Sequence, residues 1–243
     1  MLLWLFSLLA FADFRMLIEQ SSDNSKLQVS THIGKQGFIA KNNQTKVDFI
    51  ARFIDDYILI VNHSKKMTQK IRLKDLMMKL NKNKDKQSAL AKSDSYMLDA
   101  ILQDMKIDGG KSFAFEKIKI IKAKSSSENK MQFKFQDEQR QFASLTTRPF
   151  KAYKLSKADQ RDLKKTFKSL ILFEAAQGRA DAKSLEYLYY KILQQQPSMF
   201  YAAEVFGLDP RYSKKTKLLR VQKIPLKASA LKAPKYYKTE LLQ

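Results

Sequence analysis

The stretch TKVDFIARFIDDYILIVN, residues 45–62, decides the fold. Val47, Ile50, Ile54, Tyr57 and Ile58 recur at helical spacing, while the β-branched second half leaves helix and strand both open. On the C-terminal side, residues 65–82 place Ile71, Leu73, Leu76, Met77 and Leu80 on one broad helical face. Residues 89–105 repeat that pattern with Leu90, Tyr96, Leu98, Ile101, Leu102 and Met105. Beyond Asp108-Gly109-Gly110 the period changes to two. Phe113 and Phe115 alternate, Ile118 and Ile120 follow in the other phase, and Met131, Phe133 and Phe135 alternate again. A β-hairpin near residues 112–136 is the expectation. Phe142, Leu145, Phe150 and Tyr153 suggest a further extended segment, interrupted at Pro149. Ser156 and Asp159 then make a capping-box start to a helix, and Asp181 can cap the next one.

Composition pulls the same way. Six Gly and five Pro in 243 residues are few for a turn-dense β-sandwich or barrel. The expected fold is therefore mainly α with a small antiparallel β element, an α+β body. The expected organisation is a membrane-anchor helix over residues 1–18, a polar linker over 19–33, and an α+β body over 34–153. A helical region over 154–210 and a basic C-terminal tail over 211–243 complete it.

The N-terminus carries its own signal. Residues 1–12, MLLWLFSLLAFA, are apolar but for Ser7, and Phe14, Met16, Leu17 and Ile18 extend the pattern past Asp13. Eighteen helical residues span roughly 27 Å, just under a bilayer's hydrocarbon core. Ala10-Phe11-Ala12 also has the small-x-small form of a signal cleavage site, so signal-anchor, cleaved leader and core helix all stay open. The anchor reading places the chain in the inner membrane, single-pass, with its body in the periplasm.

Lys and Arg number 46 against 24 Asp and Glu, a formal charge of +22. Such a charge attracts nucleic acid, anionic headgroups or acidic proteins. Ten Lys and Arg against one Glu fall between Arg211 and Gln243, led by Arg211, Lys214, Lys215, Lys217 and Arg220. Pro225 and Pro234 interrupt any long helix there, so a solvated arm is expected. Tyr187, Tyr189, Tyr190, Phe200, Tyr201 and Phe206 form an aromatic-dense stretch. It reads as helix packing or, through Tyr187, Tyr190 and Tyr201, as a client-binding face.

Catalysis finds little support. There is no Cys, and the two His, His32 and His63, stand apart. No phosphate loop, nucleophile elbow or zinc-protease motif occurs. A non-enzyme with no cofactor and no metal is the expectation.

One short motif sharpens the reading. In Arg52-Phe53-Ile54-Asp55-Asp56-Tyr57, the aromatic-x-Asp-Asp portion resembles the metal-binding motif of reverse transcriptases, but only 54 residues precede the pair. Arg52, Asp56 and Tyr57 also match Arg-x-x-Phe-Asp-Tyr, the signature of the lipase-specific foldases, the steric chaperones of secreted lipases. Asp55 stands where that family has Phe. The lead-in from Ile33 through Gly37 to Phe49 is similar to the family's Gly-containing lead-in, and the usual Gly-Glu after the signature is absent. The resemblance implies a membrane-tethered periplasmic chaperone that binds a secreted hydrolase or protease and supports its folding or type II secretion. Arg52, Asp55, Asp56 and Tyr57 would then meet the client. The alternative is a basic RNA-binding or organellar ribosome-associated protein. An accessory subunit of a membrane complex is a third reading.

Overall fold

The computed structural model describes residues 13–22, 25–42, 44–53, 57–72, 75, 118–124, 129–138, 140–176, 185–206 and 213–241. Twelve strands form one sheet in the order β12-β6-β5-β4-β3-β2-β1-β11-β10-β9-β8-β7. The strands are β1 (Phe14–Ser22), β2 (Ser25–Gly34), β3 (Gly37–Asn42), β4 (Val47–Arg52), β5 (Tyr57–Asn62) and β6 (Met67–Arg72). After the undescribed stretch 76–117 come β7 (Lys119–Lys124), β8 (Met131–Gln136) and β9 (Gln141–Pro149). Helices α1 (Lys157–Ala176) and α2 (Leu185–Gln195) precede β10 (Ser198–Val205), β11 (Lys214–Lys223) and β12 (Lys238–Leu241). All neighbours are antiparallel except β12, which lies parallel to β6.

The mainly α expectation is overturned. Residues 45–62 are two strands, with Ile50 opposite Leu59. Ile58 and Ile60 of β5 face the helix side of the sheet, and Tyr57, Leu59 and Val61 face the back. A strand buried on both faces has no polar alternation, and its continuous apolar run also satisfies helical spacing. Residues 65–66 are in a turn and 67–72 in a strand, and apart from Asp75 the rest of the helices expected over 65–82 and 89–105 lies outside the described residues.

The membrane-anchor helix is overturned too. Residues 14–18 belong to β1, in the middle of the sheet, and residues 1–12 lie outside the described residues. No helix among the described residues is long and apolar enough to cross a membrane. Residues 25–33, expected as linker, lie in β2, and 119–136 hold the antiparallel β7–β8 hairpin.

Two clusters hold the sheet. The larger lies on the helix face, with Phe14, Met16, Ile33, Phe38, Phe133, Phe135 and Leu145 under α1 and α2. Phe173 of α1 meets Phe49 edge-on at 4.8 Å, and Phe167 meets Tyr189 of α2 at 4.9 Å. The smaller cluster lies on the back, where Ile39, Ile50, Leu59 and Val61 pack under Leu231.

Leu231 belongs to a strap. After β11 the chain turns onto the back of the sheet, crosses it in a 3-10 turn (Ala228–Leu231), and pairs as β12 with the far edge strand. Both histidines hold it. His32 Nε2 donates to the Ile224 carbonyl at 2.7 Å, and His63 Nδ1 lies 3.1 Å from the Tyr237 hydroxyl. His63 Nε2 in turn lies 3.1 Å from Asp48 Oδ2, which fixes the ring. The Leu226 N–H donates to Asp13 at 2.7 Å.

Candidate functional site

Within the Arg52–Tyr57 motif, both Arg52 and Tyr57 lie in strands rather than in a helix. Arg52 ends β4, Tyr57 opens β5, and the two are cross-strand partners. Arg52 Nη1 donates to the Tyr57 hydroxyl at 2.8 Å, and Lys70 Nζ lies 4.3 Å from the Tyr57 ring centre. Asp55 and Asp56 lie outside the described residues. The described pair is therefore a cross-strand contact between β4 and β5.

The tyrosines separate. Tyr187 and Tyr190 are buried in α2, within the main core. Tyr189, outside the expected client-binding set, is also buried. Its hydroxyl donates to the Ser198 carbonyl and accepts from the Phe200 N–H, both at 2.9 Å. Burial pushes that hydroxyl far above its ordinary pKa. Tyr201 sits instead at the bulge of β10, with Arg148 4.1 Å and Lys130 4.7 Å from its ring centre. Burial raises the pKa of neighbouring Tyr153, and Arg148 opposes the rise by charge and hydrogen bonding.

The basic C-terminal residues are not a solvated arm. Lys214 to Lys223 form β11, between β1 and β10. Alternation sorts them. Thr216 and Leu218 are buried toward the helices, and Lys215 and Lys217 point from the back. A bulge at Leu219 keeps Arg220 on that same back face, paired with Leu17. Lys214 lines a recess of about 450 Å³ at the strand ends, beside Leu185, Val205 and Thr216. Arg211 lies outside the described residues.

Cross-strand register extends this back face. Lys134 stands opposite Ser144, Ser144 opposite Glu204, Glu204 opposite Lys215, Lys215 opposite Ser21, and Ser21 opposite Lys26. The next row runs through Gln132, Thr146, Ala202, Lys217, Glu19 and Gln28. Lys119, Arg148, Arg220 and Arg15 lie on the same side. Eight cations therefore share the face with two carboxylates, Glu19 and Glu204. Lys215 Nζ lies 3.7 Å from Glu204 Oε1, too exposed a pair to offset the excess. Both helices pack on the other side, and the strap covers β3 and β4. Among the described residues, the helices and the strap leave this basic face uncovered, and it is the candidate site.

A second charged group is buried. Ser156 and Asp159 form the capping box of α1, with Asp159 Oδ2 accepting from the Ser156 N–H and hydroxyl and from Lys223 Nζ at 2.9 Å. One turn on, Asp162 is 1% exposed and neither carboxylate oxygen has a hydrogen-bond partner. Burial pushes its pKa up, Lys165 and Arg161 oppose the rise, and Asp159 and Asp13 add to it. Among the described residues, no group of three or more His, Asp or Glu could hold a metal ion.

No known protein family and no curated protein matches the chain. Among solved structures it is similar to an uncharacterised conserved protein from Thermus thermophilus, at 6% identity and a TM-score of 0.44, over 95% of this chain and 90% of that one.

Proposed function

We propose that the protein is a non-enzymatic, chaperone-like binding protein that seats an acidic client protein on the basic back face of β7–β11, β1 and β2, which the described helices and strap leave uncovered. The observation that carries this reading is the ratio of eight cations to two carboxylates on a face that the helices and the strap leave open. Neighbouring strands lie about 4.8 Å apart, so the cations form a two-dimensional grid suited to a broad acidic surface. Stacking of single-stranded RNA needs a run of open aromatic rings. The face offers Tyr201, whose ring already carries Arg148 and Lys130. The anchor over residues 1–18 is no part of the reading, because β1 uses residues 14–18. A client in the periplasm remains the expected partner, and the apolar run 1–12 supports that location.

The test compares labelled polyglutamate with polyuridylate as probes. The full chain is expected to bind polyglutamate in low salt, and Lys134→Gln, Lys215→Gln, Lys217→Gln and Arg220→Gln combined should weaken it at least tenfold. Tighter binding to polyuridylate, lost in the same variant with a steep salt slope, would instead favour the RNA reading.

A further inference from the structure

We propose that Arg148 and Lys130, gathered on the ring of Tyr201, form a fixed subsite of the basic face that takes a carboxylate of the acidic partner. The inference rests on the reading of that face as a client-binding surface and names the point at which the client is anchored.

Tyr201 collects both cations. The Arg148 guanidinium carbon lies 4.1 Å from its ring centre and Lys130 Nζ lies 4.7 Å from it, both within cation–π range. Two like charges within about 9 Å of each other repel, and an anion beside them offsets that repulsion. The face's own carboxylates do not meet this need. Glu204 stands opposite Ser144, four residues along β9 from Arg148, which is about 13 Å of strand. Its carboxylate already lies 3.7 Å from Lys215 Nζ. Glu19 belongs to β1, with β11 and β10 between it and β9, and it accepts from Gln28 Nε2 at 3.5 Å.

The two positions that bring arginine and ring together are also held rigidly. Arg148 stands opposite the buried Met199, and its neighbour Thr147 is buried on the helix side. Pro149 follows, and a proline keeps the residue before it in extended backbone. Tyr201 sits at the β10 bulge beside Phe200, whose N–H donates to the buried Tyr189 hydroxyl at 2.9 Å. Lys215 and Lys217, by contrast, are exposed side chains on β11 that a partner has to immobilise. A side chain already stacked on a ring loses less freedom on binding.

The chemistry of the pair selects a carboxylate. Arginine's planar fork matches it with two parallel N–H···O bonds, and a lysine beside it adds a point charge. The interaction of Arg148 with the Tyr153 hydroxyl leaves most of the five guanidinium N–H donors for a ligand.

Binding of labelled polyglutamate by the full chain at physiological salt tests the subsite. Arg148→Lys keeps the charge and loses the fork, and it should weaken binding about tenfold. Tyr201→Leu removes the ring and no charge, and it should weaken binding about fivefold, while Tyr201→Phe keeps the ring and should recover most of that loss. Lys217→Gln removes a charge elsewhere on the face and should cost less than about threefold. Wild-type affinity in Arg148→Lys, or equal losses in Tyr201→Leu and Tyr201→Phe, overturns the subsite and leaves the face as diffuse charge. If the wild type itself does not bind polyglutamate, the reading of the face fails and the subsite fails with it. A loss in Arg148→Lys confined to polyuridylate assigns the pair to phosphate and overturns the carboxylate. Should Tyr201→Leu not fold, Arg148→Lys decides, because lysine fits the same extended, half-buried position.

Discussion

The back of the sheet is two surfaces. Across β3, β4 and β5 it is apolar, with Ile39, Ile50, Leu59 and Val61 buried under Leu231 of the strap. Across β8, β9, β10 and β11 the equivalent positions are Lys134, Ser144, Thr146, Glu204, Lys215 and Lys217. The helix faces of the two halves do not differ in this way; Phe38 and Ile58 in one match Phe133 and Leu145 in the other. One face of the sheet therefore forms a common core, while the other is specialised by region. The strap converts half of the back into structure, and among the described residues neither it nor the helices cover the other half.

Removing the strap's apolar anchor should break this division most strongly. Leu231→Ala leaves a cavity over four buried side chains and is expected to cost about 3 kcal/mol, read from denaturant midpoints. Binding of the folded protein to polyglutamate should not change. Tyr189→Phe lies in the shared core. It leaves the Phe200 N–H and the Ser198 carbonyl without their hydroxyl partner, at an expected cost of about 2 kcal/mol in the same assay. On the open half, the combined Gln replacements of Lys134, Lys215, Lys217 and Arg220 should change stability by less than about 1 kcal/mol while abolishing most polyglutamate affinity. Arg52→Ala removes a partly exposed hydrogen bond to Tyr57, so its cost should stay below about 1 kcal/mol, with no effect on binding. A large loss of client binding in Arg52→Ala would return weight to the foldase resemblance.

The open half was the more legible in sequence. Met131, Phe133 and Phe135 alternate because one face of β8 is apolar and the other polar. The Ser156–Asp159 capping box was legible as well, because its signal is local. The covered half hid its strands. Strands β4 and β5 carry apolar residues toward both faces, since the strap buries the second one, and the strap's arrival from about 175 residues away leaves no local trace. Few glycines misled in the same direction. The β3–β4 and β5–β6 turns rely on Asn42 and Asn62, whose side chains accept from the Thr45 and Lys65 N–H groups. Each turn closes on a lysine of positive φ, Lys46 or Lys66. The repeated Asn-x-x-x-Lys spacing of NNQTK and NHSKK was the available signal for two hairpins. The basic residues of β11 were visible as charge, but their sorting onto one face needed the register and the bulge at Leu219.

The central claim is that the open basic half of the back, rather than the covered half, meets an acidic partner. Lysine-acetylation footprinting of the full chain, with and without polyglutamate, tests it most directly because each half carries its own lysines. The account predicts protection of Lys134, Lys215 and Lys217, with Lys41, Lys70 and Lys232 reacting unchanged. Equal protection of both sets, or protection centred on the strap, would contradict it.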